Sequence, residues 1–292
     1  MTTTLVQNEW LNDILLFVIY LAACLILLWV GKVIFRLVKS SIHINDELTE
    51  KDNPAFAVSY TGYFAGLILA VGSAVYGPSN GLVTDLIDMA IFGGIAIVLL
   101  NLSSVITDKV VLRKFSVWKE IITDRNVGTG VIEGANYLTS GLIIFGAITG
   151  ESGHLLFGIY TALAYWAIGQ VLIIITEALY NKLVPYDVHH EIERDNVAAG
   201  IGFAGAMIAM GILIKHALMG NFESWDETLL EVAYEAGLGL IILPLMRTLV
   251  DRILLPGKSL SSEITQEKPN IGASFIEALG YIGGAVLIIW CI

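Results

Sequence analysis

The chain has 292 residues, 56% of them hydrophobic and only 15% charged, with a mean hydropathy of +0.76. A soluble domain of this length would need far more charge to cover its surface, so composition points to the membrane. The formal charge of −11 argues against a nucleic-acid partner, which requires basic patches.

A helix needs roughly 20 mostly apolar residues to cross a bilayer. Such stretches run in chain order over 13–38, 54–77, 82–107, 129–150, 155–181, 197–219, 228–250 and 271–292. The expected fold is therefore all-α, a polytopic membrane protein with about eight transmembrane helices. Polar or Gly/Pro punctuation bounds the segments, as at Gly77-Pro78-Ser79-Asn80 and Leu255-Pro256-Gly257. The first follows Glu9, Asn12 and Asp13, with no basic n-region and no small-residue cleavage site, and reads as a retained helix. Cys24 and Cys291 sit in apolar segments at opposite ends and read as small hydrophobes.

Basic residues set the expected orientation. Lys32, Arg36, Lys39 and Lys51 flank the first loop, and Lys109, Arg113, Lys114, Lys119 and Arg125 the third. Lys182 and Arg194 belong to the fifth, and Arg247, Arg252, Lys258 and Lys268 to the seventh. Only Lys215 falls on the other side, so 15 of 16 Lys and Arg residues share one face. That face is expected to be cytoplasmic, with both termini periplasmic.

The chain repeats itself. Glu50-Lys51-Asp52-Asn53-Pro54-Ala55 recurs 143 residues later as Glu193-Arg194-Asp195-Asn196-Val197-Ala198. Gly62, Gly77 and Asp108-Lys109 meet Gly205, Gly220 and Asp251-Arg252 at the same offset. Asn126-x-Gly128-x₄-Glu133-x₃-Tyr137 recurs as Asn270-x-Gly272-x₄-Glu277-x₃-Tyr281, and Leu15-Leu16-Phe17-x-Ile19-Tyr20 as Leu155-Leu156-Phe157-x-Ile159-Tyr160. The division is a first four-helix membrane repeat over 1–150 and a second over 151–292. Four helices per repeat make both copies enter the membrane in the same sense. Two parallel repeats are expected, related by a rotation of roughly 180° about the membrane normal.

Asp52-Asn53-Pro54-Ala55, and the stretch from Val131-Ile132-Glu133-Gly134-Ala135 through Gly146-Ala147-Ile148-Thr149-Gly150, carry a family resemblance. The chain resembles the YjfL-like inner-membrane protein family (domain of unknown function 350), in two tandem copies covering nearly its whole length. The second copy departs from the pattern, with Val197 in place of the Pro and no equivalent of Thr149-Gly150. The resemblance implies a bacterial-type inner (plasma) membrane protein and mildly favours a membrane-stress association. It implies no activity.

Several polar groups stand out. Asn53 can cap the second helix with Pro54 at its first position, and Asp52 suits the positive end of the helix dipole. Asp195 and Asn196 repeat this arrangement as structural caps. Glu133 and Glu277 lie one to two turns inside the fourth and eighth helices, where a carboxylate is costly unless paired, hydrated or protonated. Tyr137 and Tyr281 follow at i+4, on the same helix face. These pairs read either as interhelical clamps or as stations for an ion or proton. Asp88 and Glu231 form a second equivalent pair near the outer ends of the third and seventh helices, with Asp85 and Glu235 one turn away. They read as a hydrated acidic rim or as part of a carboxylate ladder reaching Glu133, Glu277, Asp108 and Asp251. Arg247 and Asp251, at i,i+4, read as a boundary salt bridge or a snorkelling pair. His189-His190 with Glu191 and Glu193 has no further His or Cys at metal-ligand spacing, and Gly62-x₃-Gly66 reads as helix packing.

No phosphate loop, nucleophile elbow or zinc-protease signature is present, so neither an enzyme nor a cofactor is expected. The leading expectation is a channel or transporter for a cation or cationic solute, using intramembrane carboxylates. The alternative is a non-transporting scaffold for envelope stress or maintenance that recruits a cytoplasmic membrane-stress partner. The loop from Val110 to Arg125, with Lys114, Phe115, Trp118 and Lys119, is basic and aromatic enough to lie on the inner leaflet or dock that partner. Besides the lipid bilayer, a homodimer through the small-residue faces is expected.

Overall fold

The computed structural model describes Leu5 and residues 7–77, 79–111, 116–149, 154–220, 222–255 and 257–292. Pro78, Arg113, Lys114, Phe115, Gly150 and Pro256, singled out above, lie outside the described residues. All regular structure among the described residues is helical. Among the described residues, eight helices are long and apolar enough to cross a bilayer. They are α1 (Glu9–Val38), α2 (Pro54–Ser73), α3 (Leu82–Ile106), α4 (Val127–Ile148), α5 (Leu155–Leu183), α6 (Val197–Leu218), α7 (Trp225–Leu249) and α8 (Ile271–Cys291).

Caps, not the apolar run, decide where these helices start. Asn126 Oδ1 accepts from Thr129 N at 2.9 Å, so α4 begins at Val127. Ser224 Oγ accepts from Glu227 N and starts α7 at Trp225. Hydropathy places both starts later because these first turns carry polar or small residues, such as Asp226 and Glu227.

The even-numbered helices begin alike. A short helix or wide turn precedes each one: Asp46–Glu50, Glu120–Asp124, Val188–Glu193 and Leu260–Thr265. A capping Asn follows, accepting from a first-turn amide: Asn53 from Phe56, Asn126 from Thr129, Asn196 from Ala199 and Asn270 from Ala273. In the first three the preceding residue is left-handed, with φ of 45° at Asp52, 54° at Arg125 and 59° at Asp195. That residue reverses the chain between the short element and the long helix.

The same asparagines bolt neighbouring hairpins together. Asn53 Nδ2 donates to Glu47 Oε2 and to the Ile121 carbonyl, both at 2.9 Å. Asn126 Nδ2 donates to Glu120 Oε2 and the Ile192 carbonyl, and Asn196 Nδ2 to Glu191 Oε2 and the Ile264 carbonyl. All three are at most 3% exposed, and every amide hydrogen is used, as burial demands. Each four-helix repeat is thus itself two helical hairpins, and the chain is a run of four.

α2, α4, α6 and α8 pack side by side in that order, parallel and close. Glycine makes the approach possible: a Cβ on Gly130 or Gly141 would run into the backbone of Ala55 or Gly66. The odd helices fill the flanks, α3 against α2 and α4, α5 against α4 and α6, and α7 against α6 and α8. α1 rests on α2 and α3 and is the most exposed span, whereas α6 is the most buried.

This arrangement corrects the expected rotation of 180°. A closed twofold that brings α4 onto α6 would also bring α8 onto α2. Those two helices instead end the row without a packed interface. The parallel repeats follow one another as an open array.

Candidate functional site

α4 and α8 each carry a glutamate seven residues beyond the capping Asn, about 10 Å along the axis. Both Glu133 and Glu277 are 0% exposed. Their equivalent placement follows from the shared cap and helix register, but their partners differ.

Glu133 Oε1 accepts a hydrogen bond from Ser104 Oγ on α3 at 2.5 Å. Its second oxygen, Oε2, is buried with no hydrogen-bond partner among the described residues, and the same holds for Glu277 Oε2. The Tyr137 hydroxyl stands beside Glu133 and makes no hydrogen bond of normal geometry. Around this group lies a polar seam. Tyr137 meets Tyr63 edge-on at 5.1 Å, Tyr63 Oη donates to the Gly31 carbonyl, and Asn101 Nδ2 reaches Tyr63 Oη at 3.4 Å. Among the described residues, Lys39 and Asp108 are charged groups near enough to influence Glu133. Lys39, just past the end of α1, holds its ammonium 4.2 Å over the Trp118 ring, and burial lowers its pKa.

Glu277 is neutralised directly. Its Oε1 accepts from Tyr281 Oη at 2.8 Å and from Arg247 Nη1 on α7. Arg247 Nη2 donates to Ser261 Oγ at 2.9 Å. The expected Arg247–Asp251 bridge is therefore not formed. Asp251 Oδ1 accepts from Leu260 N instead, as Asp108 Oδ1 accepts from Val117 N in the first repeat. A helix-start amide offers that boundary carboxylate a short, oriented bond, which frees the guanidinium to reach the buried charge. Gly202 on α6 leaves the room this cluster needs: a Cβ there would lie 2.7 Å from Glu277 Oε2 and 2.8 Å from Tyr180 Oη.

At the other end of the helices, Asp85 accepts from Tyr20 Oη at 2.6 Å, Ser79 Oγ at 2.5 Å and Asn80 N at 2.9 Å. Asp85 and Asp88, with Tyr20 and Met89, line a cavity of about 180 Å³. The equivalent region of the second repeat is built differently. Glu231 is exposed, while Glu235 is buried and paired with His216 Nδ1 at 2.9 Å. Neither Glu133 nor Glu277 belongs to the wall of the Asp85/Asp88 cavity, so the outer and inner carboxylates form separate clusters rather than one ladder.

The structure revises two further expectations. Asn53 and Asn196 cap their helices, but Asp52 and Asp195 do not cap the helices they precede, because their left-handed backbone turns them away. Asp195 Oδ1 instead accepts from Val127 N, at the start of neighbouring α4. Trp118, read as a possible leaflet anchor, packs inward against Phe35 and Lys39, and Lys119 bonds Asp124.

Sequence reasoning passed over Ser104, Lys39, His216 and the Glu277–Arg247 pairing. A signal for two of them was present: Ser104 and Arg247 are 143 positions apart, the offset of the repeat itself.

Eight spans in two tandem four-helix units define a polytopic integral membrane protein. Residues 9–148 and 154–292 each match the Domain of Unknown Function (DUF350), and the chain belongs to that family. It is similar to a UPF0719 transmembrane protein of Aquifex aeolicus (strain VF5), 26% identical over 245 residues that span 84% of this chain and 88% of the relative. No solved structure matches the chain.

Proposed function

We propose that the protein moves a proton or small cation across the inner membrane, and that Glu133 is the group that carries it. The observation behind this reading is the asymmetry between the repeats. Glu277 is tied to a guanidinium and to the Tyr281 hydroxyl, whereas the Ser104 hydroxyl is the one hydrogen-bond partner of Glu133 among the described residues; each glutamate keeps one buried oxygen with no such partner there. A carboxyl group so placed can exchange a proton, or take up a cation's charge, without first breaking an ion pair. Tyr137 supplies a hydroxyl one turn away that can relay a proton or complete a cation's ligand shell. The Asp85/Asp88 cavity then serves as the outer collecting site, and Lys39 as the charge facing Glu133 from the basic end. Both termini are periplasmic in this reading, as the basic residues suggest, and the protein is not an enzyme.

Purified protein in liposomes, assayed against protons and a panel of monovalent, divalent and polyamine cations, tests the proposal. Flux of one of these above empty liposomes supports it, and flux of none removes it.

A second reading has its own support. Both glutamates are sealed by side chains and neither lines the outer cavity, which suits a scaffold whose buried polar groups fix helix packing. On that reading the protein recruits a cytoplasmic membrane-stress partner and conducts nothing.

A further inference from the structure

α7 and α8 meet along a groove that α3 and α4 repeat with different side chains. In the second repeat the groove is filled by apolar groups. A Cβ on Gly280 would lie 2.4 Å from Val250 Cγ2, and one on Gly284 2.6 Å from Met246 Cγ. Val250 and Met246 thus occupy the space these glycines leave, beyond the Arg247–Glu277 pair along α8.

The first repeat has polar residues at the same positions. Ser103, Ser104 and Thr107 stand 143 residues before Met246, Arg247 and Val250, and Asn136 and Ser140 stand 144 before Gly280 and Gly284. The register is shared, because Ser104 reaches Glu133 as Arg247 reaches Glu277. In that register Thr107 stands against Asn136, and Ser103 against Ser140. None of these five side chains belongs to a residue more than 1% exposed.

On α4 the polar side of the groove is continuous. Thr129, Glu133, Asn136 and Ser140 follow at spacings of four, three and four residues. They form one stripe about 16 Å long. α5 closes the groove against lipid, packing on both α3 and α4, with Trp166 Nε1 donating to Ser103 Oγ at 3.0 Å and Gln170 one turn on.

Thr129 Oγ1, Glu133 Oε2, Asn136 Nδ2, Tyr137 Oη and Gln170 Nε2 are all buried without a hydrogen-bond partner among the described residues. Glu277 Oε2 shares that condition, but it faces Gly202 and Tyr180, and the groove beyond it is filled. Buried polar groups call for partners. Water is small enough to serve amide donors and a carboxylate oxygen between close-packed helices.

We propose that the α3–α4 groove holds a file of bound water, and that the ion it delivers to Glu133 is the proton. A proton moves along such a file by exchange of hydrogen bonds, and on Glu133 Oε2 it leaves a neutral carboxyl group. A metal cation needs oxygen ligands throughout, whereas the unpartnered atoms of Asn136 and Gln170 are amide donors. The identity of the ion rests on the reading of Glu133 as carrier; the water file does not.

Hydroxyl-radical labelling by water radiolysis tests the file in the unaltered protein in lipid. Tyr137 and Tyr281 are equivalent and buried, at 0% and 2% exposure. Radicals arise from water at the site, so Tyr137 should be modified several-fold faster than Tyr281. Equal rates would overturn the proposal. Ser103→Met with Ser140→Gly imports the packing of Met246 on Gly284 and leaves Glu133, Ser104 and Tyr137 in place. It should bring Tyr137 to the rate of Tyr281, and a rate still at the parent value would also overturn the file. Ion flux into liposomes, measured on the same two proteins, separates the ion from the file. Loss of proton flux in the folded variant supports the proton. Undiminished proton flux there, or flux of metal cations alone in the parent, overturns that assignment. If the parent moves no ion, the carrier reading and the proton fall together, and the labelling alone decides the water file.

Discussion

Ser104 and Arg247 occupy the same position in the two repeats, and each reaches the buried glutamate of its own repeat. Ser104 Oγ meets Glu133 Oε1 at 2.5 Å, and Arg247 Nη1 meets Glu277 Oε1. One substitution at a repeated position thus separates a carboxyl group held by a neutral donor from one held by a fixed cation. The two repeats share a scaffold but hold their buried glutamates with different partners, and the proposed division of roles rests on this difference.

Arg247 should be structurally costly to lose. Arg247→Met leaves Glu277 buried without its cation and should cost about 3–5 kcal/mol in equilibrium unfolding in detergent micelles. Adding Glu277→Gln should restore most of that loss, because the remaining group is neutral. If Arg247→Met is no less stable than the parent, the pair is not the clamp described.

The asparagine bolts should be unequal in value. Asn196→Ala removes a cap and two buried hydrogen bonds, an expected loss of about 2–4 kcal/mol. Asn270→Ala removes the cap and one bond at a half-buried site, so about 1 kcal/mol is expected in the monomeric protein. Thermal unfolding of the two variants side by side checks the order.

Acid should loosen the first bolt. Burial by itself raises the pKa of Glu47, but hydrogen bonds from Lys51 and Asn53 outweigh it and hold the carboxyl below its usual range. The folded value therefore lies below the unfolded one of about 4.3. Its stabilisation is complete above that value and is lost as pH falls through the folded pKa. Glu47→Gln should flatten the decline in melting temperature below pH of about 4.3. An unchanged acid limb would show that Glu47 does not contribute to it.

Much of this architecture is legible in the residues. Span length, an even helix number and the recurrence of Asp-Asn at Asp52-Asn53 and Asp195-Asn196 lead to eight helices in two parallel repeats. The hairpin within the repeat is not legible in the same way. Its spacing drifts from Asn53 to Asn126, Asn196 and Asn270, and the faces it matches are glycine and alanine, which any close-packed membrane helix contains. The open row escapes for a related reason: parity fixes the sense of each copy but not whether the last helix returns to the first. Glu133 and Glu277 declare themselves as carboxylates in apolar helices. Their partners do not, because Arg247 has Asp251 at the favoured i,i+4 spacing and only the fold shows that Leu260 N already occupies that carboxylate.

The central claim is that Glu133 carries the transported charge while Glu277 holds the structure. Flux into liposomes, compared among the parent, Glu133→Gln and Glu277→Gln at equal folded protein, tests it most directly. The predicted result is that Glu133→Gln abolishes flux with its melting temperature unchanged, whereas Glu277→Gln conducts but melts lower. Undiminished flux through folded Glu133→Gln would contradict the account.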